Sequence, residues 1–284
     1  MENILDGKKL AEQMKASLKD KIAKLPYSIR LAVVMVEGNS ASQIYVDNKI
    51  KACKALGIEC NLYTFSATTD ENEVANILQN LAEDRKVHGI LLQLPLPKHM
   101  NKDKLLKLIP AEKDVDGFSG ENIGELCLKG LRGNAFIPCT PLGILELLRS
   151  NQIEISGKNV VVVGRSNIVG KPMAMLLLTE GATVTICHKL TKNLAQFTRQ
   201  ADILIVAVGK RNLIDADMVK EGVVIVDVGI NRMEDGKICG DVHFESVQKK
   251  AKAITPVPGG VGPMTIAMLL YNTYQAAKQQ EERV

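Results

Sequence analysis

Short, uninterrupted apolar runs recur along this chain, and most are followed by a stretch with helical periodicity. The runs are LAVVMV (31–36), HGILLQL (88–94), NVVVVG (159–164), DILIVAVG (202–209) and GVVIVDVGI (222–230), with NLYTF (61–65) and ATVTIC (182–187) as more mixed companions. A strand that is apolar on both faces must be covered on both faces, as in a parallel sheet between two layers of helix. The helical stretches supply that cover. Leu10, Met14, Leu18, Ile22 and Leu25 form one stripe, and Val74, Ile77, Leu78 and Leu81 form another. The fold class is therefore α/β.

The alternation occurs twice. Between the two rounds, residues 111–139 dissolve into AEKDVDGFSGENIGELCLKGLRGNAFIPC, a loop-rich stretch of the kind that is either functional or a linker. It closes at CTPLGILELL, where Thr140 can cap a helix and Pro141 can open it. That helix is expected to carry the chain from one domain to the next, and 284 residues are enough for two.

Net charge is +4, and the basic residues are dispersed rather than clustered. With only five Tyr and five Phe, a basic aromatic surface for nucleic acid is not expected. The opening MENILDGKKL lacks a secretory pattern, and no run approaches the ~18 apolar residues of a membrane span. The six cysteines include no C-x-x-C pair and no ligand spacing with histidine, so reduced thiols, a cytoplasmic setting and no metal are expected.

One helix carries a charge in an odd place. In SQIYVDNKIKAC and its continuation, Tyr45, Val46, Lys49, Ile50, Cys53 and Leu56 share an arc of about 140°. Lys49 thus sits inside the stripe that ought to face the core. By itself this is compatible with a lysine that lays its methylenes on the core and its ammonium in water. The alternative is a working lysine, since loss of solvation disfavours the charged form.

A strand, a turn containing Gly164 and Gly170, and a helix follow one another in VVVVGRSNIVGKPMAMLLL. That is the logic of a dinucleotide fold, in which glycines admit a pyrophosphate beside a helix start. The spacing departs from G-x-G-x-x-G, so an ordinary tight turn remains open. The next strand ends in His188 and Lys189 with no acid to take ribose hydroxyls, and Arg165 follows the first glycine. Two cations there favour a 2′-phosphate, hence NADP over NAD, unless Lys189 merely faces solvent.

Five strings in this order, YVDNK (45–49), GILLQLPLP (89–97), KDVDGF (113–118), GRSNIVGKP (164–172) and PVPGGVGPMTIAML (256–269), resemble the methylenetetrahydrofolate dehydrogenase/cyclohydrolase family along essentially the whole chain. The resemblance implies an N-terminal α/β catalytic domain, residues 1–140, completed by a C-terminal helix, 270–284. It also implies a Rossmann-like parallel-sheet domain, 141–269, that binds NADP, a folate held in the cleft between them, and a homodimer. It implies Lys49 as the central catalytic group, Tyr45 packing on the folate, Gln93 holding Lys49, and Asp116 anchoring the pterin. Gly259, Gly260, Pro263 and Thr265 would lie beside substrate and nicotinamide. Ser166, Thr140 and the backbone near Ile230 would contact the cofactor, with Gly164, Arg165, Gly170, His188 and Lys189. Asp114 would be structural. The activity implied is oxidation of 5,10-methylenetetrahydrofolate and hydrolysis to 10-formyltetrahydrofolate, in one-carbon metabolism and purine biosynthesis.

On its own residues, Asp116 could equally make an Asx-type turn before Gly117. Residues 36–42 and 117–122 depart from the family's more usual turns. A shikimate-type NADP dehydrogenase and a non-enzymatic nucleotide-sensing module are the two rival readings.

Overall fold

The strand-rich runs fold as two parallel sheets in the computed structural model, which describes residues 3–38 and 40–282 and, for 40–42, the backbone alone. Asn39, in the turn before the Tyr45/Lys49 helix, and the last two residues of the expected 270–284 helix lie outside the described residues.

The elements in chain order are α1 (Gly7–Ile22), β1 (Arg30–Val36), α2 (Ser40–Leu56), β2 (Glu59–Phe65), α3 (Glu71–Glu83), β3 (Gly89–Leu92), α4 (Lys102–Leu106) and α5 (Gly120–Lys129). Then come α6 (Cys139–Ser150), β4 (Asn159–Val163), α7 (Gly170–Thr179), β5 (Thr183–Cys187), α8 (Leu194–Thr198) and β6 (Ile203–Val206). The chain ends with β7 (Val224–Asp227), β8 (Asn231–Arg232), β9 (Ile238–Cys239), α9 (Phe244–Val247), β10 (Ala253–Ile254) and α10 (Val261–Glu281).

Contacts divide the chain into two compact units. The unit that carries Lys49 comprises residues 13–124, 134–139 and 266–284; the other comprises 1–12, 125–133 and 140–265. The first residues join the second unit because Leu5 donates its backbone N–H to Ile254 at 2.9 Å and Lys8 donates to Gly259 at 2.8 Å.

In the Lys49 unit the sheet order is β2-β1-β3, all parallel. The sheet is widened at β3 by the chain at Lys113–Val115: the Ile90 N–H donates to the Lys113 carbonyl at 2.7 Å. Val34, Val74, Leu78, Ile90, Leu92 and Leu105 pack together as one side of the core. The Lys113 ammonium is buried in this unit and donates to the carbonyls of Ala82 and Asp84, each at 2.7 Å, and of Leu81 at 3.3 Å. It closes the C-terminal end of α3, whose last carbonyls have no intrahelical donor.

In the other unit the order is β10-β7-β6-β4-β5, again all parallel. The strands β5 and β6 flank β4, so the winding direction reverses there. Ligands of such sheets lie outside the carboxyl ends of the strands at that reversal.

Two expectations need correction. Residues 111–139 are less loop-rich than expected, because α5 and a 3-10 turn at Gly130–Arg132 occupy nearly half of them; the apolar positions Ile123, Leu126, Cys127 and Leu128, interrupted by Gly124, do not announce a helix. Thr140 is not a cap: α6 already begins at Cys139.

Candidate active site

In the Lys49 unit the carboxyl ends of the strands gather four expected residues. Gln93 extends β3 by one ladder bond, its N–H donating to Val34 at 2.8 Å. Its side-chain NH2 donates to the Leu94 carbonyl at 2.6 Å, which turns Oε1 outward to accept from Lys49 Nζ at 2.9 Å. Lys49 is half-buried, with Val46, Cys53 and Leu56 on the same helix fully buried. It stands at the margin of the apolar stripe rather than deep within it. Tyr45 is one turn earlier on α2 and half-buried, and burial pushes its phenol above the usual range.

Asp114 and Asp116 differ in task. Asp114 is buried, and its carboxylate accepts from the N–H of Gly117 at 3.0 Å, from Ser119 at 2.6 Å and from the Asn122 amide at 3.0 Å. The Asx-type turn before Gly117 therefore exists, but Asp114 makes it. Gly117 has φ +71°, and a Cβ there would overlap the Phe136 carbonyl, so the turn needs glycine. This leaves the Asp116 carboxylate free of the turn. Burial holds its pKa above the usual carboxylate value, against the pull of the Lys49 ammonium.

Cys139 and Asn272 were not anticipated. The Cys139 thiol is buried and lies 3.3 Å from the Val115 carbonyl; burial and the nearby Asp116 carboxylate raise its pKa well above the usual range, so it stays protonated. The Asn272 amide, from α10, donates to the carbonyls of Val115 at 2.9 Å and Ile137 at 3.0 Å. Both residues pin the backbone on which Asp116 sits. Neither has a signature spacing in the sequence.

The second unit carries the other expected residues. Gly164 has φ +140° and a Cβ there would overlap the Ala207 carbonyl, while one on Gly170 would overlap the carbonyl of Gly164. The turn after β4 thus closes on the loop after β6, at the winding reversal. Ser166 is occupied locally: its Oγ accepts from Val169 at 3.1 Å and Gly170 at 3.3 Å, and its carbonyl from Lys171 at 3.0 Å. These bonds shape the turn that leads into α7, whose N-cap position is Val169.

Val163 and Cys187 are register partners in β4 and β5, so Arg165 and Lys189, each two residues on, leave adjacent strand ends; both are exposed. His188 is half-buried, and its Nδ1 accepts from the Leu190 N–H at 3.2 Å. No acid stands at the end of β5. This donor set fits a cofactor with a phosphate on the ribose better than one with a bare hydroxyl. Ile230, after β7, is exposed.

Thr140 and Thr265 meet, hydroxyl to hydroxyl at 3.0 Å, and Thr265 also reaches the Val261 carbonyl at 3.2 Å from inside α10. Thr265 is the fifth residue of α10. Gly259 has φ +108°, and a Cβ on Gly260 would lie 2.7 Å from the Pro256 carbonyl oxygen. Pro263 sits in the first turn of α10. Among the described residues no cluster of His, Cys, Asp and Glu could hold a metal ion, and no helix is long and apolar enough to cross a membrane.

Residues 5–116 match the model of the tetrahydrofolate dehydrogenase/cyclohydrolase catalytic domain, and residues 138–281 match that of the family's NAD(P)-binding domain. The chain belongs to this family. It is 53% identical over 284 residues to the bifunctional protein FolD of Campylobacter hominis, covering 99% of each chain. A crystal structure of the Campylobacter jejuni bifunctional enzyme FolD, at 53% identity, superposes with a TM-score of 0.95 over 97% of this chain and 98% of that one. The Trypanosoma brucei dehydrogenase-cyclohydrolase, solved with NADP and an inhibitor, is 35% identical, with a TM-score of 0.94 over 99% of this chain and 98% of that one. Family membership decides against both the shikimate-type and the nucleotide-sensing readings.

Proposed function

We propose that this chain oxidises 5,10-methylenetetrahydrofolate to the 5,10-methenyl cation with NADP and hydrolyses that cation to 10-formyltetrahydrofolate. Lys49 held by Gln93 at 2.9 Å, beside Asp116, is the observation that carries the reading. NADP, when bound, supplies the hydride acceptor.

In the hydrolysis, water adds to the methenyl carbon, the bond from that carbon to N5 breaks, and one proton is released overall. Lys49 Nζ handles the protons of these steps. Its partner is a neutral amide, so Nζ is held in place without being locked in an ion pair. Asp116 accepts hydrogen bonds from the pterin's amino group and ring N–H, and Tyr45 packs on the folate. Residues 13–124 and 266–282 supply these groups, and we assign folate binding to that unit.

Arg165 and Lys189 take the 2′-phosphate of NADP, and the turn at Gly164 and Gly170 admits its pyrophosphate, with His188, Ser166, Thr140 and the Ile230 backbone around it. Gly259, Gly260, Pro263 and Thr265 line the substrate and nicotinamide. The 10-formyl product is a one-carbon donor suited to purine biosynthesis. Six free cysteines accord with a cytoplasmic setting. A homodimer is supported by β2, an edge strand with Leu62 exposed, which a second copy would cover.

The test is one assay of purified protein with 5,10-methylenetetrahydrofolate and NADP, following NADPH and the methenyl species together. NADPH formation without methenyl accumulation, faster than spontaneous hydrolysis allows, is expected. No NADPH with either NADP or NAD overturns the proposal; light scattering decides the dimer.

A further inference from the structure

Two carboxylates in the second unit have no part in the site described so far, yet both are buried. Asp241 is fully buried and Asp227 nearly so. Asp241 Oδ2 accepts from the backbone N–H of Val208 at 2.8 Å and of Gly209 at 2.9 Å, and its Oδ1 accepts from the Asn231 amide at 2.9 Å. These donors come from two different segments, the loop after β6 and the start of β8, which follows β7. Asp227 anchors Asp241 in turn, its Oδ1 accepting the Asp241 N–H at 3.0 Å and the Gly229 N–H at 2.9 Å, its Oδ2 the Val242 N–H at 2.9 Å.

The cradle is cut to these two groups. A Cβ on Gly229 would overlap the Asp241 carboxyl, and a Cβ on Gly240 would overlap that of Asp227. The side chains of Val208 and Ile230, in the two segments so tied, are exposed. Charge-assisted bonds from one carboxylate to several N–H donors are among the stronger available to a loop. The loop after β6 meets the Gly164 turn at the winding reversal, where such sheets receive their ligand.

We infer that Asp241 is a positioning residue for the cofactor: it joins the Val208–Gly209 and Gly229–Asn231 segments into the shape that receives NADP, without touching substrate. The inference rests on the proposed function, because it is NADP that these segments are said to receive.

Its test compares the full-length protein with Asp241→Asn and Asn231→Ala. The first swaps a carboxylate for an amide whose NH2 must face a donor. The second keeps both backbone bonds and removes only the side-chain tie. Expected for Asp241→Asn is a KM for NADP raised about tenfold or more, the worth of a charged hydrogen bond, with hydrolysis of added methenyltetrahydrofolate unchanged. Asn231→Ala should show the same split with a smaller rise, and it decides alone if Asp241→Asn does not fold. Parallel loss of both activities, or an unchanged KM for NADP, overturns the inference. Hydrogen exchange at the Val208 and Gly209 amides gives a readout independent of turnover, expected to be faster in Asp241→Asn and slower with NADP. No acceleration overturns the positioning role. A wild-type protein with neither activity would instead overturn the proposed function, with the exchange result still standing.

Discussion

The Lys49 ammonium donates to the Gln93 side-chain carbonyl at 2.9 Å, while the same amide's NH2 is fixed on the Leu94 carbonyl at 2.6 Å. The amide is thereby oriented before Lys49 meets it, so the lysine is held by a group that cannot neutralise its charge. Lys49→Ala should abolish methenyl hydrolysis, with a loss of roughly 10²–10⁴-fold, the usual scale of a positioned acid–base group. Gln93→Ala should cost about tenfold, the worth of one hydrogen bond to a charged group. Decay of the methenyl absorbance measures both, and wild-type rates in Lys49→Ala would remove that residue from the mechanism.

Asp116 is excused from the turn by Asp114, so its carboxylate is available to a ligand. Asp116→Ala should raise the KM for the folate roughly tenfold to a hundredfold, as expected for the loss of charged hydrogen bonds. Asp114→Ala should instead lower the unfolding midpoint, because Ser119, Gly117 and Asn122 lose a shared acceptor. Equal effects of the two changes on folate KM and on stability would refute this division of labour.

Cofactor choice is expected to follow the two cations at neighbouring strand ends. Arg165→Ala and Lys189→Ala should each raise the KM for NADP about tenfold and leave that for NAD nearly unchanged, since NAD lacks the 2′-phosphate. Steady-state kinetics with both dinucleotides decides it.

Asp227 gives stability a pH dependence. Burial lifts its pKa from 3.8 to about 6, against the pull of three backbone N–H groups. Between those values the folded state holds more protons than the unfolded one. This contribution is therefore fully present below pH 3.8 and is lost as pH rises through about 6. Urea unfolding from pH 7 to pH 4 should show a stabilising component that is absent in Asp227→Asn.

The sequence by itself determined the layered plan. Runs such as NVVVV and ILIV can be satisfied only as strands covered on both sides, and their order settles a parallel arrangement before any contact is known. It also placed Lys49 on a buried-side stripe with Tyr45, because helical periodicity is a local property of the chain. The strings at 89–97 and 256–269 were specific enough to indicate the family.

Only the tertiary structure separated Asp114 from Asp116, two residues apart and alike in type. The difference lies in Gly117 pressed against Phe136 and in the Asn122 amide, neither fixed by local sequence. The same holds for Cys139 and Asn272 beside Asp116, and for Asp241, whose partners stand 33, 32 and 10 residues away along the chain. Hydrogen bonds at such separations exist only once the strands have aligned, because the geometry they require is set by the sheet and not by the neighbouring residues.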